Sequence, residues 1–164
     1  MAFVLSTAPA TSTIAAAPAD TSLERFLQTG VPLCMKAPAV QCIDKGFAFV
    51  DTNHDGKLSL AEVEAAQAQI DRWVQANAGR IPEGDRQRLI LGLLVLRTVG
   101  AKQLFTGYDA NHDGALTQQE LTADIRLDKR TLPEILSDPS SVDWNSLAAR
   151  AGDAAPLLKG LFEL

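Results

Sequence analysis

Two twelve-residue stretches, Asp51–Glu62 and Asp109–Glu120, constrain this chain more than anything else in it. Each places Asp first, Asn third, Asp fifth, Gly sixth, a hydroxyl residue ninth and Glu twelfth. Oxygen-bearing side chains therefore recur at alternate positions, and the glycine supplies the positive-φ turn that only glycine takes cheaply. The flanks repeat as well. Ile43, Phe47 and Val50 precede the first stretch at helical spacing, and Leu104, Phe105 and Tyr108 precede the second. Val63 and Ile70, then Leu121 and Ile125, come after the closing glutamates. Asp, Asn and Gly are ordinary turn formers. Turn formation alone does not explain two copies with matching apolar flanks.

Both stretches fit D-x-[DN]-x-[DN]-G-x5-E, and in this they resemble the loops of calmodulin-like, bacterial-type EF-hand calcium-binding proteins. The resemblance covers the loops and their flanks, roughly a third of the chain. It implies two bound Ca²⁺ ions, a hard cation that takes six to eight oxygens. Asp51, Asn53 and Asp55 would supply side-chain oxygens, Lys57 its carbonyl, Ser59 a direct or water-mediated contact, and Glu62 both carboxylate oxygens. Asp109, Asn111, Asp113, Ala115, Thr117 and Glu120 repeat the set. The seventh position ligates through its carbonyl, so the Lys57 side chain is unconstrained. His54 and His112 hold the fourth position, which points outward. Mg²⁺ tolerates the bidentate Glu poorly. Leu58 and Leu116 at the eighth position imply a short strand contact between paired loops. The fold implied is all-α: paired EF-hands with extra N- and C-terminal helices and a minimal two-stranded contact.

The length of 164 residues fits one domain. We place a tail at 1–20 and the EF-hand domain at 21–164, with units at about 41–72 and 98–129 and a C-terminal helical or degenerate EF-like unit at 131–164. The net charge of -5 sits largely in the loops, which argues against nucleic-acid binding. No apolar run is long enough to span a bilayer. Residues 1–19 are uncharged and read either as a flexible tail or as a signal remnant. Ala17-Pro18-Ala19 resembles a cleavage site, whereas the missing basic n-region and Pro9 argue the other way. A periplasmic or secreted location competes with a cytoplasmic one. Cys34 and Cys42 would bridge in an exported protein and otherwise act as small buried apolar residues.

Helices are expected from Thr21–Ser22 to a stop at Gly30 and Pro32, from Leu60 to about Ala78, and from Arg86 to about Thr106. The last contains Leu89–Leu96, apolar on all sides, and so is either a buried central helix or a partner surface. The loops start 58 residues apart, which puts a compact paired lobe in doubt. Val142–Leu147 either ends a degenerate third loop or is a helix capped by Asp143; neither binds metal. Residues 156–164 form a short amphipathic segment that packs on the body or fills an apolar groove.

These readings imply a calcium sensor or calcium-stabilised binding module, not an enzyme. No nucleophile elbow, phosphate loop or catalytic pair stands out. The alternatives are a calcium buffer, or a structural or interaction protein dimerising through 89–96. Partners beyond calcium would be a protein target or a second copy. With only Met1 and Met35, a Met-rich adaptable groove is missing. Three carboxylates per loop are expected to repel and prop each empty loop open.

Overall fold

The computed structural model describes residues 21–84, 86–87, 90, 93–94, 97, 100–152 and 156. The tail at 1–20, most of Leu89–Leu96 and the segment 157–164 lie outside these residues.

Helix α1, Thr21–Cys34, leads into α2, Ala39–Val50. α1 runs on through Gly30 and Pro32, where the sequence predicts its end. A proline near a helix end removes a single donor. The chain then closes with bonds from Met35 N to Val31 O (3.2 Å) and from Ala37 N to Leu33 O (2.8 Å). Gly30 serves packing: a Cβ there would stand 3.0 Å from the Phe26 ring. The turn between the helices is closed by a Cys34–Cys42 disulfide, with Cα atoms 4.7 Å apart. Phe26 of α1 stacks on Phe49 of α2, their centroids 4.7 Å apart.

Strand β1, Leu58–Ser59, precedes α3, Leu60–Asn77. It pairs antiparallel with β2, Ala115–Leu116, in the register Leu58↔Leu116 and Ser59↔Ala115. The two loops thus pair with each other despite their separation in sequence. Leu58 and Leu116 are almost fully buried with Phe105, and Phe47, Val50, Leu60, Val63 and Tyr108 pack around them. Helix α4, Ala101–Tyr108, enters the second loop. The expected continuous helix from Arg86 to Thr106 is interrupted at Gly100, whose φ is +83°. Of the apolar run, Leu93 is buried while Ile90 and Leu94 are exposed, so it is not buried on all sides.

The second unit departs most from expectation. Its exit helix α5, Gln118–Leu121, is a single turn, against eighteen residues for α3. Beyond it the chain runs beside residues 141–143. Ile125 bridges Val142, Arg126 N donates to Ser141 O (2.7 Å), and Asp143 N donates to Asp124 O (2.8 Å). Helix α6, Leu132–Leu136, a 3₁₀ turn at Pro139–Ser141 and α7, Trp144–Ala151, complete the described chain. Asp143 caps α7 by accepting from Asn145 N and Ser146 N, and Val142 beside it bridges Ile125, which lies outside either loop. A second bridge, Pro38↔Thr131, ties the start of α2 to the start of α6. Ile135 is fully buried.

α4 and α7 meet with no side chain between them at Gly107. A Cβ there would be driven into the carbonyl oxygen of Arg150. Backbone has little room to yield, so Gly107→Ala is expected to destabilise the protein by about 1–3 kcal/mol in a urea titration. Gly46→Ala, with open space around it, should leave the midpoint nearly unchanged or raise it.

Candidate metal centres

Each loop is folded by its own side chains. Asp51 Oδ1 accepts from Asp55 N (3.2 Å) and Oδ2 from Gly56 N (2.9 Å). Asn53 Oδ1 accepts from Asp55 N (2.9 Å), and Asp55 Oδ1 from Lys57 N (2.9 Å). In loop two Asp109 accepts from Asp113 N (3.1 Å) and Gly114 N (3.0 Å). Asn111 accepts from Asp113 N (2.9 Å) and Asp113 from Ala115 N (3.0 Å). These short bonds turn the oxygens in on the loop that carries them. Gly56 and Gly114 sit at φ +80° and +79°. His54 and His112 also take the left-handed region, at +59° and +57°. Histidine, with Asn and Asp, is among the non-glycine residues that take this conformation more readily.

The twelfth residue closes each ring. Glu62 Oε1 accepts from Thr52 N (2.8 Å), Thr52 Oγ1 (3.0 Å) and Asn53 N (3.3 Å). Its Oε2 accepts from Ser59 N (2.9 Å) and Ser59 Oγ (2.8 Å), while Ser59 Oγ accepts from Glu62 N. One carboxylate thus joins the start of the loop to the cap of α3. Glu120 does the same with Ala110 N (3.2 Å), Thr117 N (2.9 Å) and Thr117 Oγ1 (2.8 Å). Both loops are thus closed by hydrogen bonds to their own twelfth residue.

Donated hydrogen bonds favour the ionised carboxylate. The Ser59 backbone N–H and hydroxyl, followed by Thr52 and Asn53, hold Glu62 down at about 2 against partial burial. The Thr117 backbone N–H and hydroxyl lower Glu120 likewise. Asp113 is lowered chiefly by the Lys57 ammonium and then by Ala115 N–H, and Lys57 is raised in return.

Among the described residues no three His, Cys, Asp or Glu side chains stand close enough to hold a metal ion by themselves. The pattern supplies other oxygens too: the Asn53 and Asn111 amides, the Ser59 and Thr117 hydroxyls, and the Lys57 and Ala115 carbonyls. Each Asp51 and Asp109 oxygen accepts one N–H, which leaves each a free lone pair. An all-oxygen set of this kind suits a hard divalent cation. Glu62 is more fully engaged, and ligating an ion would exchange some of its bonds.

Residues 43–65 and 101–123 each match the family model described as EF hand. The two units are EF-hands. Calcium is the ion such units bind. The chain has no match among curated proteins or among solved structures.

Behind the second EF-hand lies a cluster that no sequence motif marks. Asp124, almost fully buried, accepts from Ser146 Oγ (2.5 Å) and pairs with Arg150 Nε (3.2 Å). The Arg150 guanidinium lies 5.4 Å from the Tyr108 ring centroid. Burial, and then the neighbouring Asp124, push the Tyr108 hydroxyl up. Ser146 and Arg150 are a helical turn apart, which is legible in sequence; the carboxylate they meet is not.

The Glu62 shift fixes a pH dependence. Its folded value lies below its unfolded one, so its stabilisation is present above about pH 4.5 and is lost as pH falls toward 2. In calcium-free protein, Glu62→Gln should lower the denaturation midpoint at pH 6, and the gap to the native chain should close between about pH 5 and 2.

Proposed function

We propose that the protein is a calcium-dependent binding module in which the first EF-hand responds to calcium and the second is structural. The ligands of loop one would be Asp51, Asn53, Asp55, the Lys57 carbonyl, Ser59 and Glu62. Those of loop two would be Asp109, Asn111, Asp113, the Ala115 carbonyl, Thr117 and Glu120. Each loop would hold one Ca²⁺.

The observation that carries this reading is the unequal exit from the two loops. Glu62 opens an eighteen-residue helix, whose far end carries Ile70, Trp73 and Val74. These residues line an apolar cleft of about 400 Å³, with Phe26, Phe47 and Phe49 on the facing helices. A change at Glu62 is thus levered to the wall of the cleft. Glu120 opens a single turn, which brings Leu121 to the edge of the cleft but carries no long helix to its wall. An apolar partner is the occupant this lining favours. The Cys34–Cys42 bridge supports a periplasmic or secreted setting, because disulfides persist in oxidising compartments.

A calcium titration followed by calorimetry, near-UV circular dichroism and hydrophobic-dye fluorescence tests this. Two ions should bind with Kd of roughly 10⁻⁶ to 10⁻⁴ M. Glu62→Gln should abolish one site together with the dye response. Glu120→Gln should remove the other site and keep the dye response, with a lower melting temperature. Sites tighter than about 10⁻⁸ M without a dye response would instead favour a buffer.

A further inference from the structure

Lys57 belongs to loop one, yet its ammonium lies on loop two, with Nζ 2.7 Å from Asp113 Oδ2. The β1–β2 pairing makes this reach available, because it sets the two loops side by side. The same Asp113 oxygen accepts from Asn111 Nδ2 (3.2 Å), while Oδ1 accepts from Ala115 N (3.0 Å). Oδ2 has two lone pairs and two donors and is filled, whereas Oδ1, with one donor, keeps a lone pair for a cation. The equivalent Asp55 Oδ2 accepts only from Asn53 Nδ2 (2.9 Å) among the described residues. Loop two has no reciprocal arm to offer: its seventh residue is Ala115.

We propose that Lys57 is a built-in competitor for the cation of loop two. Its ammonium is held on one oxygen of a predicted ligand, where its positive charge opposes the cation that the other oxygen would take. Loop two therefore binds calcium more weakly than its own residues would allow, and loop one fills first. This rests on the reading of both loops as calcium sites. The two side chains are partly exposed, at 44% and 35% of their surface, so the pair itself contributes little to folding stability. Its effect falls on the binding equilibrium, where the ammonium and the ion draw on the same carboxylate charge and repel each other.

Calorimetric calcium titration of the full chain at low salt tests this, with each loop read alone in Glu62→Gln and Glu120→Gln backgrounds. In the Glu62→Gln background, Lys57→Met should tighten loop two by about two- to five-fold. In the Glu120→Gln background it should change loop one by less. The loop-two gain should shrink toward one at about 1 M salt, where screening acts within about 3 Å. Calcium-free Lys57→Met should melt within about two degrees of the native chain, which separates competition from a folding defect. Lys45→Met makes the same charge change on the exposed side of α2 and should leave the loop-two constant nearly unchanged. An equal gain from Lys45→Met, a gain confined to loop one, or no gain would each overturn the proposal. A native chain that takes up no calcium would overturn the reading of the loops as well.

Discussion

One carboxylate per loop, at the twelfth position, holds the two halves of each EF-hand together. Glu62 accepts from the backbone just after the loop begins and from the residue that caps the helix after it. Ring closure and helix capping are thus a single event. A capping box satisfies two donors that a helix start otherwise leaves without partners. Here the carboxylate also spans ten residues of loop, so losing it would loosen the loop and fray α3 together. Thr131 and Glu134 form the same box at the start of α6, with Thr131 N 2.7 Å from Glu134 Oε2. There it lacks the preceding ring of oxygens, and it acts as a cap and nothing more.

The two EF-hands share loop chemistry and differ in their exit segments. α3 carries its apolar residues along five turns to the cleft beside α1 and α2. The chain after Glu120 turns back almost at once, because Asp124 has partners on α7 and Ile125 has one in Val142. A buried carboxylate without those partners would carry a large desolvation penalty. That requirement fixes α7 against the second loop and ends the exit helix. α7 is thus a brace for the second EF-hand, while α6 is tied to the start of α2 in the first, whose exit helix α3 stays the longer lever.

The range of each interaction decides whether it is legible in the sequence. The loop positions and the span of α3 are readable, since they rest on spacing along one continuous stretch. Asp143 as a helix cap is readable for the same reason. That the two loops pair with each other, Leu58 on Leu116, is not, because they lie 58 residues apart. The passage of α1 through Pro32 is not, because the packing of Phe26 over Gly30 and the bridge to Cys42 outweigh a local helix breaker. The break at Gly100 and the truncation after Leu121 are equally hidden from local pattern. Asp124 looks like any surface aspartate until Ser146 and Arg150 are brought to it from more than twenty residues away. The Lys57 side chain is hidden for a different reason: the loop pattern constrains its carbonyl and says nothing of its ammonium.

The strand contact and the lysine act on calcium in opposite senses. Leu58 and Leu116 pair directly, so ordering one loop helps to order the other, which favours cooperative filling. Lys57 spans the same contact and places a positive charge on Asp113, which favours filling in sequence. Backbone pairing of buried leucines is insensitive to salt, whereas an exposed ion pair is screened. The balance between the two therefore depends on ionic strength. On the proposed reading of both loops as calcium sites, the lysine separates the two binding steps at low salt, and at high salt the strand contact dominates and the steps draw together.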